Sequence, residues 1–380
     1  ARQLLIEVNL LTKNIILFSI LIILLAYGNK LNAQISLTAT AGTTDPTSYS
    51  TLKAAFDKIN DGTHQGIISI EISANTSESA TAVLYQSGYN STSGYSSVSI
   101  YPTTTGLSIS GNLATLLIDL NGADNVTIDG RVNATGSIND LTIVNTSTAS
   151  TAATSTIRFI NDANLNTVKY CSLKGSSTAA TGGVIYFATT TASIGNDNNT
   201  LDNNNITNAT DANRPVNAIC SLGTASKLNS GNVISNNNIY NFLNRGSASN
   251  GINLADYNTD WTISGNSFYE IASFVPAASV AYIVINVTYT SGSGSNFSIA
   301  NNYIGGNDKG GVGTWAKTAA SDNTFTGIYL KAATGTASSI QGNAIRNMNY
   351  ANSSSGTFYG MNIVLGDVNI GTTSANTLSG

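Results

Sequence analysis

Asp256 and Asp260 share one turn, between Gly251-Ile252 and Trp261. Two carboxyl groups that converge to roughly 5–9.5 Å can cleave a glycosidic bond. Lys227 stands ten residues before Asn237, and Asp256 stands ten before Asn266. If those asparagines hold equivalent places in successive repeats, the amine and the carboxylate stack on adjacent turns of one repeating structure. Arg245 adds a second cation, while Tyr257 and Trp261 offer rings on which a sugar can rest. Asp256, Asp260, Lys227 and Arg245 are thus the catalytic candidates, with Tyr257 and Trp261 the carbohydrate-binding ones. Against them stands a plainer reading: solvated turn residues and a packed aromatic. No tight run of carboxylates accompanies the patch, and loops of varying length blur its register.

Other chemistries fare worse. His64 is the only histidine, which excludes a multi-histidine metal site and most catalytic triads. Gly305-Gly-Asn-Asp-Lys-Gly-Gly-Val-Gly313 lacks the Lys-Ser/Thr ending of a phosphate-binding loop. Asn196-Asp-Asn-Asn199 and Asn307-Asp308 are oxygen-rich and of the kind that can hold calcium, but they lack the spaced aspartates of a calcium loop and read as turns. No cofactor is expected, with calcium the one ion such loops would take. The net charge is −4, and no basic stripe with interleaved aromatics marks a nucleic-acid surface.

The residues that would position this chemistry belong to a chain with an unusual balance. Charged residues make up only 9% against roughly 25% in ordinary soluble domains. Hydrophobic residues, at 41%, are near normal, so Ser, Thr, Asn and Gly have replaced the charge. That composition predicts an apolar interior under a neutral polar surface. Lys13, the apolar run Ile15 to Leu25 and the stretch ending Leu31-Asn32-Ala33-Gln34 read as a secretory signal peptide cut after Ala33. No stable membrane span is expected once the leader is removed. Residues 1–10 read as lying upstream of the natural start. The pattern at Gly380 stops mid-repeat, so further domains are expected beyond it. Cys171 and Cys220 sit in apolar, strand-like contexts and read as buried free thiols, with a bridge left open because connectivity is not legible in sequence. The expected divisions are 1–33 for the upstream residues and leader, 34–110 for a cap and first strands, and 111–380 for the repeats.

One helix is predicted. Leu52, Ala55, Phe56 and Ile59 fall at helical spacing, with Ser50 as N-cap and Asp61-Gly62 as the stop. An amphipathic helix ahead of a β-array can plug the open apolar end of a solenoid. From Ile67 the period changes to two, as in Ile68, Ile70 and Ile72.

Two motifs then alternate. The first is Leu201-Asp-Asn-Asn-Asn-Ile206, Ile234-Ser-Asn-Asn-Asn-Ile239, Ile263-Ser-Gly-Asn-Ser-Phe268, Ile299-Ala-Asn-Asn-Tyr-Ile304 and Ile340-Gln-Gly-Asn-Ala-Ile345, with a weaker copy ending Cys171-Ser-Leu173. The second includes Gly183-Val-Ile-Tyr-Phe187, Gly251-Ile-Asn-Leu254 and Gly327-Ile-Tyr-Leu330. Interleaved motifs at one varying period indicate a solenoid of roughly eight to ten coils, each of about 30 residues. Asn204, Asn237, Asn266, Asn302 and Asn343 share one register place and are expected to stack about 4.8 Å apart as a hydrogen-bonded column. Because Asn tolerates the left-handed backbone of a tight corner, each is expected both to turn the chain and to link the coils.

This pattern resembles the right-handed parallel β-helix family, the pectin-lyase-like solenoids with internal asparagine ladders. A closer likeness, to large secreted β-helix proteins of bacteria that use type IX secretion, is carried by Thr51-Leu-Lys-Ala-Ala-Phe-Asp-Lys-Ile-Asn-Asp-Gly-Thr63, Leu117-Ile-Asp-Leu-Asn-Gly-Ala-Asp-Asn-Val-Thr-Ile-Asp-Gly130 and Thr156-Ile-Arg-Phe-Ile-Asn-Asp162. It covers nearly all of residues 40–380. The resemblance implies an all-β, right-handed parallel β-helix with an N-terminal capping helix, at the outer surface of a Gram-negative bacterium or secreted from it. It also implies that any catalytic carboxylates lie on the outer face of one sheet, holding calcium or acting as an acid/base pair. The expected function is a structural and adhesive scaffold that meets glycans or other cell-surface components. The alternative is a polysaccharide lyase or glycoside hydrolase.

Overall fold

The computed structural model describes residues 34–379 apart from Tyr289, Ser291 and Ser293. The expected leader and the expected upstream residues 1–10 therefore lie outside the described residues. The described chain winds into about nine turns of a parallel β-solenoid. Its three large sheets contain twelve, ten and nine strands, with two further pairs of strands at the corners. One turn visits each sheet once: Thr200–Asp202 lies in the first, Asn205–Asn208 in the second and Asn217–Ser221 in the third, before Val233–Ser235 returns to the first. Crossovers between parallel strands are right-handed in about 98% of cases, which is the sense expected here.

Alternation along these short strands sends every second side chain inward. The inward positions repeat the same residue from coil to coil. On the third sheet Ile118, Ile157, Ile185, Ile219, Ile252, Ile285 and Ile328 pair in register and are fully buried. On the first, Ile128, Val168, Leu201, Ile234, Ile263, Ile299 and Ile340 do the same. Fully burying one such side chain contributes roughly 1.5–3 kcal/mol. β-branched residues suit both the pleat and the stack, so these columns fix which strand sits over which.

The corner between the first and second sheets holds the predicted ladder. Each of its asparagines donates its backbone N–H and its Nδ2 to the Oδ1 of the next, from Asn204 through Asn237, Asn266 and Asn302 to Asn343, at 2.9–3.0 Å. Nδ2 also donates to a carbonyl of the preceding coil, as Asn237 does to Leu201. Cys171 donates its N–H to Asn204 at one end, and Asn376 continues the column beyond Asn343. In one respect the expectation is corrected. The left-handed backbone belongs to the residue just before each rung: Tyr170, Asn203, Asn236, Gly265, Asn301 and Gly342 have φ of 52–68°. Turning and linking are divided between neighbours, because a rung must point its amide inward while the preceding residue bends the chain.

The helix runs Leu52–Asn60, and its N-cap is Thr51, whose hydroxyl accepts from Ala54 N–H, rather than Ser50. Leu52, Ala55, Phe56 and Ile59 are buried. Glu78, itself buried, accepts from the Leu52 and Lys53 N–H groups at 2.8 and 3.1 Å. A carboxylate suits the positive end of the helix and satisfies two of its orphan donors. Asn60 bonds to Val83 O and Tyr85 N, so the helix seals the edge strand Ala82–Tyr85 of the third sheet. Among the described residues no helix is long and apolar enough to cross a membrane.

Candidate functional site

The corner between the third and first sheets carries most of the sequence-predicted patch. Asn229 pairs with Asn258 and Ser230 with Thr259, which puts Lys227 and Asp256 at equivalent places on adjacent coils, as their spacing predicts. Their charged ends are directed apart. Lys227 donates to carbonyls of Thr191 and Ala192 on the preceding coil. Asp256 accepts from the N–H of Thr290 at 2.7 Å and from its hydroxyl, on the following coil. Asp260, exposed, accepts from Asn296 Nδ2 at 2.6 Å and from the Thr259 hydroxyl at 3.0 Å. Tyr257, half-buried with φ of 64°, helps turn this corner.

Two of the predicted residues leave the patch altogether. Trp261 is fully buried, donates Nε1–H to Asn229 O at 2.9 Å and meets the edge of Phe187. It is a core residue and offers no face to a sugar. Arg245 lies at the opposite corner, between Asn238–Tyr240 of the second sheet and Ser249–Leu254 of the third.

What Asp256 does is general in this chain. Asp162 accepts from the Thr190 hydroxyl and from the N–H groups of Ser193, Ile194 and Gly195 on the next coil. Partial burial pushes its carboxyl up, but these donors outweigh burial and hold it below the usual range. Asp322 accepts from Ser353 and Ser354 N–H groups in the same way, and is likewise held low by those bonds. These carboxylates tie one coil's turn to the next.

The oxygen-rich stretch Asn196-Asp-Asn-Asn199 is built into the same scaffold. Asn166, Asn199 and Asn232 form a second ladder, while Asn196 donates to Asn229 in a third. All five side chains are fully buried. Asp197 accepts from Ser230 N–H. Asp308 caps the turn Lys309–Gly311. No cluster of three or more His, Cys, Asp or Glu with metal-holding geometry occurs among the described residues. Cys171 and Cys220 are free and buried, which answers the bridge left open by the sequence. Burial pushes the Cys220 thiol up to about 12, so it remains protonated.

Charge concentrates instead at the corner between the second and third sheets. Arg214, almost wholly buried, donates Nε and Nη2 to Asp211 Oδ1 at 3.1 and 2.7 Å and Nη1 to Glu270, with its guanidinium over the Phe274 ring. Glu270 has no exposed surface, and burial raises its carboxyl to about 7 against the pull of Arg214. Asp211 is exposed and bridges Arg214 to Arg245, whose Nη2 reaches its Oδ2 at 2.5 Å. The Arg214 bond holds its carboxyl below the usual range; partial burial pushes it up, but the charges of both guanidiniums reinforce the lowering. Beside this cluster opens a cavity of about 230 Å³ lined by Thr148, Ser176, Thr178, Asn213, Arg214 and Arg245, among others. The residues come from four successive turns around one corner. Sequence reading picked out Arg245 alone, because Arg214 and Glu270 fall in loops that no repeat motif spans.

No family model, curated protein or solved structure matches this chain.

Proposed function

We propose that the chain is an exported cell-surface scaffold of the pectin-lyase-like β-helix kind, which adheres through weak, repeated contacts with glycans. One observation carries this reading. The carboxylates that could have formed a catalytic pair are bonded to the next coil's amides, while the outer faces present aligned neutral groups. On the first sheet Thr127, Thr167, Thr200, Thr262, Ser298 and Ser339 follow one outward row, interrupted only by Val233. On the other two, Asn238 donates to Asn205 and Asn286 to Asn253 across neighbouring strands. Rows spaced about 4.8 Å apart repeat one shallow contact many times, and repetition converts weak affinity into avidity. The leader reading of residues 1–33 supports export to the outer surface of a Gram-negative bacterium.

Glycan binding and turnover are measured together on immobilised neutral and acidic polysaccharides. The expected result is retention without released reducing ends or unsaturated products, unchanged by Asp256→Asn or Asp260→Asn. Turnover abolished by either substitution would replace the scaffold with a lyase or glycoside hydrolase.

A further inference from the structure

Buried ion pairs are weak contributors to stability, and well-packed apolar residues of similar volume commonly do as well or better. This chain keeps few charges, yet it sinks Glu270 completely and Arg214 almost completely at one corner. The pair has a positional effect. Glu270 fixes Arg214, Arg214 grips Asp211 through two nitrogens, and Asp211 holds Arg245. The outcome is a pre-set pair, Asp211 exposed and Arg245 half-buried, at a cavity whose walls add hydroxyl and amide groups. Arg245 Nε is buried and has no acceptor in the protein. A buried donor without an acceptor is costly, so the corner keeps Arg245 in place for what its exposed Nη end can do.

The chemistry of the ligand follows from the balance of this corner. A carboxylate or sulfate would meet Asp211, and a cation would meet two guanidiniums. A pair of adjacent hydroxyls satisfies both partners at once: one donates to the Asp211 carboxylate and its neighbour accepts from the Arg245 guanidinium. The cavity volume, about 230 Å³, is below that of drug-sized ligand sites, about 300–1,000 Å³, and suits a single ring. We propose that this cavity binds one neutral sugar residue through vicinal hydroxyls, with Asp211 and Arg245 as the gripping pair and Arg214 and Glu270 as positioning residues. This deepens the adhesive reading above and rests on it.

The test uses the whole chain on surfaces coated with glucan, mannan or galactan, and with a uronic-acid polymer for comparison. Arg245→Ala alters a half-buried side chain and Asp211→Asn an exposed one, and circular dichroism with a thermal melt checks that each variant stays folded. Retention on at least one neutral polymer is expected, weakened about tenfold or more by either change, a loss equal to one or two good hydrogen bonds. Free methyl glycoside of the matching sugar should compete. If the wild type binds and both variants bind equally, the cavity is not the site, although the surface-wide adhesion stands. Stronger retention on the uronic polymer would overturn the neutral-ligand assignment. Absence of binding to all four surfaces would remove the adhesive reading itself.

Discussion

Replacing Asn237 by alanine removes the acceptor for the N–H and Nδ2 of Asn204 and the donor to Leu201 O. Each buried polar group left without a partner costs about 1–3 kcal/mol. Asn237→Ala should therefore lower stability by about 3 kcal/mol or more, read as a shift in the urea midpoint at unchanged slope. Asn236, one residue earlier, has φ of 55° and turns the chain. Asn236→Gly preserves that conformation and should change stability by no more than about 1 kcal/mol. Equal effects at the two positions would mean that the ladder does not hold the coils. The rungs were legible because five copies share one place relative to apolar neighbours. Asn376 escaped notice because Gly371 to Ala375 lengthen the turn before it. The second and third ladders left a signal that went unread: Asn196-x-x-Asn199 and Asn229-x-x-Asn232 each precede an apolar strand residue by the same distance.

At the scale of elements, strands and corners behave differently. The period-two strands, the helix and the Ile columns could be read directly, since each depends on spacing within a short segment. The Arg214–Glu270 contact joins residues 56 apart in sequence through loops of unequal length, so only coil stacking brings them together. That corner has a pH signature. With its folded value raised to about 7, Glu270 favours the protonated form in the folded state. Its contribution to stability is therefore complete below its ordinary value of 4.5 and is lost as pH rises through about 7. Asp162 has the opposite sign: held low by its four donors, it stabilises above the usual carboxylate range and loses that contribution as pH falls through its folded value. Glu270→Gln should flatten the decline in melting temperature between pH 4.5 and 7 and leave the acid limb unchanged. An unaltered slope in that window would show that Glu270 is not the titrating group.

Across the whole molecule, apolar columns inside, amide ladders at the corners and carboxylates tied between turns all join one coil to the next. Such a solenoid gains its stability from nearest-neighbour interfaces and spreads a repeated polar surface along its length. Composition already pointed to a neutral exterior, whereas the division between structural and exposed aspartates required the coil register. That register can be measured as distance. Thr127, Thr262 and Ser339 occupy one outward row, with four strand steps separating the first two and six separating the first and last. Spin labels at Thr127 with Thr262, and at Thr127 with Ser339, are read by pulsed electron resonance. Stacked coils predict backbone separations of about 19 and 29 Å, growing by about 4.8 Å per coil. Equal separations for the two pairs, or a larger value for the nearer one, would contradict the stacked-coil architecture.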